Sequence, residues 1–278
     1  KRQTVLYSYP METGEQERVS GSLLGLAVGD ALGAPLEGIP RESIGTLVEP
    51  VTEMIGGGWL NLKPGEFTDE TEMVLRICTA LEKAGKVSID AIADEFIEWK
   101  RSEPRDIGGQ TFRAIEELEK GVPANEAGYI VWKEDGSWLA GNAAVVRTAP
   151  IGLFCRKMEF TERTECSSSV AAITHGDPRC QAAAALVDHA IARLACGMQL
   201  SLDELSKWSR GLNRALHEKV ESIPDLSREE LRTGSFVLDT TQAALWHLLN
   251  IDSFEEALIS AVNLGHDADT TGALTGAL

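Results

Sequence analysis

Two short segments of this chain combine acidic and hydroxyl side chains in a pattern that could hold a metal ion. The segment "GEFTDETEMVL" (65–75) and the segment "NLGHDADTTGALTGAL" (263–278) each place threonine beside acids at the start of a helical pattern. Carboxylate and hydroxyl oxygens, without cysteine or clustered histidine, are the ligands that Mg²⁺ and Mn²⁺ prefer. The candidate ligands are Thr68, Asp69, Glu70, Asp267, Asp269 and Thr270.

Helix capping explains part of the same pattern without any metal. A threonine or aspartate at a helix start can accept a backbone N–H, and acids in the first turn favour the positive end of the helix dipole. Asp69 and Glu72 have the spacing of a capping box. Capping uses one acid and one threonine per segment, however, and leaves the others unexplained. If the two segments converge, their carboxylates would repel one another unless cations neutralised them, as in a two-metal site.

The composition limits the class of protein. The chain has 278 residues, of which 43% are hydrophobic, and a net charge of −17, which makes nucleic acid or an anionic membrane an improbable partner. Its five cysteines lack CxxC spacing and indicate reduced thiols in a cytoplasmic protein. The longest apolar stretch, "SLLGLAVGDALGAPL", is interrupted by Asp30, and we expect it to be too short to span a bilayer. No signal-peptide pattern precedes it.

Apolar residues recur with helical spacing through most of the chain, which predicts an all-α protein. The best strand-like run is "YIVWK" at 129–133, which could also be a loop hairpin. Segments 34–67 and 120–141 are predicted as long surface loops, and 217–235 as a connection between helices. The predicted helices lie near 18–33, 70–84, 88–101, 109–119, 142–155, 168–174, 179–197, 202–215, 239–249, 254–263 and 270–278.

The first helix carries a row of glycines at Gly25, Gly29 and Gly33. Glycine destabilises an exposed helix by about 1 kcal/mol relative to alanine, so a row on one face indicates close packing against another backbone. Asp30 lies in the same apolar helix and requires a hydrogen-bonding partner there.

Five motifs occur in an order that resembles the ADP-ribosylglycohydrolase family, from about residue 18 to the end of the chain. They are "LGLAVGDALGAPLEG", "GGGWLNLKPGEFTDETEMVL", "WLAGNAAVVRTAPIGL", "THGDPRCQAAAA" and "NLGHDADTTGALTGAL". The resemblance implies one compact all-α domain over 1–278, an orthogonal helix bundle with a central metal-binding cleft, with 1–17 as a flexible arm. It also implies a centre of two divalent cations, Mg²⁺ or Mn²⁺, and hydrolysis of the bond between ADP-ribose and an acceptor, commonly arginine.

The resemblance assigns roles to individual residues. Thr68, Asp69 and Glu70, with Asp267, Asp269 and Thr270, match the family's metal ligands. Glu37 matches an acid beside the metals and the scissile ribose, and Asp106 matches an acid that handles the proton of the acceptor. The matches to substrate-binding positions are Gly141, Asn142, Ala143, Ala144 and His175.

Two positions depart from the family pattern. The family usually has aspartate where Glu70 stands and glycine where Ala143 stands, so metal geometry and the accepted ligand could both differ. The resemblance therefore leaves two functions: a monomeric hydrolase acting on ADP-ribosylated protein, or a non-catalytic member that binds ADP-ribose or has a structural role. The sequence does not decide whether the acceptor is arginine, serine, a nucleic-acid base or a small ester.

Overall fold

The computed structural model describes residues 13–278, and within them the chain forms fourteen α-helices, four short 3₁₀ turns and no strand. The prediction of an all-α protein is confirmed. The first seven helices are α1 (Thr13–Gly33), α2 (Asp69–Ala84), α3 (Ile89–Arg101), α4 (Gly109–Glu119), α5 (Ala127–Glu134), α6 (Ala143–Arg147) and α7 (Ala149–Phe154). The others are α8 (Phe160–Ala172), α9 (Pro178–Ala195), α10 (Leu202–Leu212), α11 (Arg214–Glu221), α12 (Val237–Asn250), α13 (Phe254–Val262) and α14 (Ala268–Ala277).

The core surrounds α9, whose side chains are almost all buried. α7, α8, α10 and α12 pack around this helix, and a second apolar cluster joins α2, α3 and α4. α9 is rich in alanine, as "QAAAALVDHAIARLA" shows, and small side chains let several helices approach one axis closely. The arrangement leaves the starts of α2, α4, α6 and α14 directed at a common cavity.

The glycine row of α1 lies directly against α14, as the sequence predicts. A Cβ atom at Gly25, Gly29 or Gly33 would collide with the backbone carbonyl oxygens of α14 at Gly276, Gly272 and Ala268. The two helices therefore pack backbone to backbone along their length. This contact holds the start of α14 beside the end of α1, next to the cavity.

One strand-like prediction is wrong, because 129–133 lies inside α5. The buried residues Ala127, Gly128 and Val131 share one face of this helix. A Cβ atom at Gly128 would collide with the carbonyl oxygen of Ala172, so close packing on α8 decides the conformation. Tertiary contact here outweighs the β propensity of Tyr, Ile, Val and Trp.

Three predicted helix boundaries also need correction. The predicted helix 142–155 is two helices that meet at Thr148, just before Pro150. The predicted helix 168–174 begins earlier, at Phe160. The predicted helix 202–215 ends at Leu212, because extended Asn213 accepts the N–H groups that begin α11 and so caps the next helix.

The predicted N-terminal arm 1–17 is partly helix. α1 begins at Thr13, and Glu15 forms ion pairs with Arg156 at 2.6 Å and Lys157 at 3.0 Å. The remainder of the predicted arm, 1–12, lies outside the described residues.

Among the residues described, one stretch, 14–36, has the length and hydropathy that would allow it to cross a bilayer, contrary to the expectation that it is too short. Half of this stretch is buried inside the protein, where α1 packs on α14. The same length and hydropathy also occur in the core helices of proteins that do not span membranes.

Candidate active site

A cavity of about 490 Å³ lies where the two acidic segments meet. It is bordered by the starts of α2, α4, α6 and α14 and by the turn that follows α1. Most of the predicted site residues line it: Glu37, Asp69, Glu70, Asp106, Gly141, Asn142, Ala143, His175, Asp267, Asp269 and Thr270. Thr68 and Ala144 are the two predicted residues that do not.

The start of α2 is capped mainly from outside its own segment. The buried carboxylate of Asp30 accepts the backbone N–H groups of Thr68 and Thr71, both at 3.0 Å, and also their hydroxyls at 2.8 and 2.5 Å. Thr68, the local capping residue, accepts only the N–H of Glu70 at a long 3.4 Å. Because Asp30 satisfies the helix start, the Asp69 and Glu70 carboxylates are not required as caps.

The two acidic segments contact each other across 200 positions of sequence. Thr270 Oγ1 donates to Glu70 Oε1 at 3.0 Å, and Thr68 Oγ1 lies 3.4 Å from Asp269 Oδ2. Thr68 is buried beneath the cavity between Asp30 and Asp269. The oxygen atoms predicted as ligands are therefore brought together at one place in the fold.

The start of α14 also leaves its acids free. Asp267 occupies the capping position, but its side chain accepts no backbone N–H of the helix. Its Oδ2 instead accepts from Asn142 Nδ2 at 3.1 Å. Asp269 is buried, and its Oδ1 has no hydrogen-bond partner among the described residues. Capping thus does not account for the acids of this segment.

Burial raises the pKa of three carboxyls in this cavity, those of Asp69, Glu70 and Asp269. It raises the pKa of Asp69 to about 7, and those of Glu70 and Asp269 well above their usual range. The neighbouring acids raise them further, Asp69 acting on Glu70 and Asp267 acting on Asp269. Arg147 opposes this effect at Asp69 and Glu70, but it forms no ion pair with either.

The donor set fits hard divalent cations. Carboxylates and threonine hydroxyls converge, and within the described part of the chain one oxygen of Asp269 has no partner. A bound cation would favour the ionised carboxylates that burial disfavours. Within 13–278, no three His, Cys, Asp or Glu side chains are close enough to enclose an ion by themselves. A metal centre here would therefore use the threonine hydroxyls or require some carboxylates to change rotamer.

Glu37 and Asp106 line the same cavity at its more open side. Trp59 Nε1 donates to Glu37 Oε2 at 2.5 Å, and the backbone N–H of Ile107 donates to Asp106 Oδ1 at 2.7 Å. Burial, and then Asp106 and Asp267, raise the pKa of Glu37 to about 7. A carboxyl of this pKa can exchange a proton with water near neutrality.

The predicted substrate-binding loop forms one wall. Gly141 pairs with Phe236 in an isolated bridge, and its N–H donates to Gln110 Oε1 at 3.3 Å. His175 Nδ1 lies 2.9 Å from Thr174 Oγ1, and burial lowers the pKa of His175 well below its usual value, so its imidazole is neutral near pH 7. The predicted place of Ala144 in this loop needs correction. The residue is fully buried against Ala171 and Ala184 and does not reach the cavity.

Sequence reasoning assigned no role to several residues at this site. Gln110, Trp138 and Phe236 line the cavity, while Trp59 and Arg147 lie behind its acids. Trp59 and Arg147 stand inside quoted motifs, "GGGWLNL" and "VVRTAP", yet a lone aromatic or arginine in a motif gives no signal of its partner. Gln110 and Phe236 reach the wall only through the packing of α4 and α12.

Comparison with known proteins assigns the chain to a family. The profile of the ADP-ribosylglycohydrolase family matches residues 11–278. The chain belongs to this family. A solved structure described as an ADP-ribosylglycohydrolase-related protein complex superposes with a TM-score of 0.78 at 32% identity, covering 96% of this chain and 87% of the other.

Two curated relatives are similar along most of their length. The ADP-ribosyl-[dinitrogen reductase] glycohydrolase of Rhodospirillum rubrum is 34% identical over 94% of this chain and 84% of its own. The ADP-ribosylarginine hydrolase Tri1 of Serratia proteamaculans is 32% identical over 95% of this chain and 71% of its own. Membership of this family supports a hydrolase.

Proposed function

We propose that this protein hydrolyses the bond between ADP-ribose and an acceptor, with the side chain of a protein arginine as the acceptor. The observation that carries the proposal is the convergence of two distant acidic segments, whose carboxylates do not cap their helices, on one cavity. Arginine is supported by the name of one relative, an ADP-ribosylarginine hydrolase. The acidic wall also suits a cationic guanidinium.

The residues that would hold two divalent cations, Mg²⁺ or Mn²⁺, are Thr68, Asp69, Glu70, Asp267, Asp269 and Thr270. When bound, such cations supply orientation of the ribose and stabilisation of developing negative charge. Asn142 Nδ2 holds the carboxylate of Asp267 in place. The loop at Gly141 and the ring of Phe236 lie along the wall where the rest of the nucleotide would bind.

The protein's own acids account for the proton transfers. Glu37 would accept a proton from the water that attacks the anomeric carbon, because its pKa of about 7 allows it to be ionised near neutrality. The water oxygen forms the new bond to carbon as the bond from carbon to the acceptor nitrogen breaks. Asp106, whose pKa burial also raises, would give a proton to the leaving guanidine.

Two observations favour a second function, binding of ADP-ribose without hydrolysis. Ala143 places a methyl group in the cavity wall, and Glu70, the longer acid, is engaged by Thr270. Either could prevent the productive position of substrate or cation. A cytoplasmic location and a monomeric state stay predictions from the sequence.

The deciding experiment measures release of ADP-ribose from a panel of ADP-ribosylated arginine, serine, nucleic-acid and ester acceptors, with Mg²⁺ or Mn²⁺. We expect turnover on arginine that disappears in Asp269→Asn. Binding of ADP-ribose without turnover on any acceptor would favour the second function.

A further inference from the structure

A tight turn at 56–62 stands beside the candidate site. Gly57 and Leu62 exchange backbone hydrogen bonds at 2.8 and 2.9 Å, and between them Gly58 and Asn61 adopt positive φ angles of 65° and 51°. A Cβ atom at Gly58 would lie 2.6 Å from the carbonyl oxygen of Ala34. The turn is thus closed by its own backbone and seated against the segment that leads to Glu37.

This turn presents Trp59 to the solvent and to one acid. The Trp59 side chain is 60% exposed, so packing does not explain a tryptophan at this position. Its indole Nε1 donates to Glu37 Oε2 at 2.5 Å. Among the described residues, no other group donates a hydrogen bond to the Glu37 carboxyl.

We propose that Trp59 is a positioning residue that holds Glu37 in its working orientation. The inference rests on the proposed function, in which Glu37 accepts the proton of the attacking water. An indole N–H donates but cannot accept, so it holds one carboxylate oxygen and leaves the other directed at the cavity. Without it, no other side-chain hydrogen bond among residues 13–278 would fix the rotamer of Glu37.

Kinetics of Trp59→Phe test this role, because phenylalanine keeps an aromatic ring but carries no N–H donor. We expect kcat to fall about 10-fold, the usual order for a hydrogen bond to a charged group, with KM and the Kd of ADP-ribose unchanged. Trp59→His, which restores a ring N–H, should recover part of the loss. Ile55→Ala, at an exposed apolar residue just before the same turn, should leave kcat unchanged.

A double-mutant cycle separates positioning from a general effect on structure. In a Glu37→Gln background, Trp59→Phe should cause almost no further loss, because the group it positions is already inactive. An equal loss in both backgrounds would overturn the proposal. A rise in KM with kcat unchanged would also overturn it, since it would make Trp59 a contact of the acceptor.

A measurement without turnover distinguishes this inference from the proposed function. The ¹H–¹⁵N resonance of the Trp59 indole, identified by its loss in Trp59→Phe, should move in Glu37→Gln and stay in Glu42→Gln. A resonance insensitive to Glu37→Gln would overturn the positioning role and leave the hydrolase standing. A wild-type protein with no turnover on any acceptor would overturn the proposed function and this role with it.

Discussion

Two buried polar regions of this protein are built in opposite ways. In the cluster of Arg228, His247 and Ser260, between α12 and α13, the side chains satisfy one another: His247 Nε2 lies 3.1 Å from Ser260 Oγ, and Arg228 Nε donates to the same oxygen at 2.8 Å. In the cavity, Asp269 Oδ1 has no partner among the described residues, and Asp267 caps no N–H group. The first region uses its polar groups to join two helices, whereas the second leaves a carboxylate oxygen available to a ligand.

The largest loss of hydrolysis is expected for Glu37→Gln. Because glutamine has nearly the same shape but accepts no proton, hydrolysis should fall about 10²–10⁴-fold while ADP-ribose affinity and unfolding temperature stay unchanged. Glu42→Gln, at an exposed acid on the neighbouring 3₁₀ turn, is the matched control. Turnover is measured as released ADP-ribose and affinity by calorimetry. An unchanged rate would remove Glu37 from the mechanism.

The paired cluster should instead respond to acid through stability. Burial lowers the pKa of His247 to about 4. Above pH 6.5 the imidazole is neutral in both states, whereas between pH 6.5 and about 4 the unfolded chain takes up a proton that the folded protein excludes. His247 should therefore contribute a loss of about 3 kcal/mol of folding stability over this window, at 1.36 kcal/mol per pKa unit. The cavity carboxyls, whose pKa values burial raises, contribute in the opposite direction.

Urea unfolding at intervals between pH 7 and 4 measures that loss. His189 and His175 contribute in the same direction, because burial also lowers their pKa values. Between pH 6.5 and 4, His247→Gln should therefore lose about 3 kcal/mol less folding stability than the wild type. Parallel curves for the two proteins would mean that His247 is accessible to protons in the folded state.

Divalent cations should stabilise the cavity and leave the paired cluster unaffected. A ligand that binds only the folded state adds about 2.7 kcal/mol at one hundred times its Kd. Mg²⁺ or Mn²⁺ should therefore raise the unfolding temperature, and Asp269→Asn should reduce that rise. Asp90→Asn removes the same charge from the first turn of α3 and serves as the control. An identical rise in Asp269→Asn would exclude Asp269 as a ligand.

The smallest effect is expected for Ala143→Gly, which restores the residue usual in the family. Removing the methyl group from the cavity wall should tighten ADP-ribose binding by a few-fold, while glycine lowers helix stability by about 1 kcal/mol. Ala84→Gly, at the last residue of α2, controls for the loss of helix stability. Weaker binding in Ala143→Gly, measured by calorimetry, would show that the methyl group contacts the ligand.

Some features of this structure have a local sequence pattern and can be predicted from it, whereas contacts between distant segments cannot. The glycines at 25, 29 and 33 predict a backbone contact correctly, because only close packing tolerates them in a helix. The strand-like pattern at 129–133 gives a wrong prediction, because nothing in the local sequence shows that Gly128 packs on α8. Capping was expected within each acidic segment, yet Asp30 performs it for α2 from another helix.

The candidate site shows the same limit. Residue types and resemblance bring both acidic segments and Glu37 to one cavity, whereas the contact between Trp59 and Glu37 crosses 22 positions and depends on a closed turn. Ala144 was misplaced because motif matching cannot tell which side of α6 faces the core.

The contact between Glu70 and Thr270 also has a consequence for biosynthesis. A ribosome adds about 5–20 residues per second, so the 200 positions between them represent roughly 10–40 s during which α2 exists without its partner. The nascent chain consequently carries the first acidic segment long before the second is translated. A chain that ends before α14 therefore lacks half of the candidate site, and the proposed hydrolysis should appear only after α14 has packed against α1.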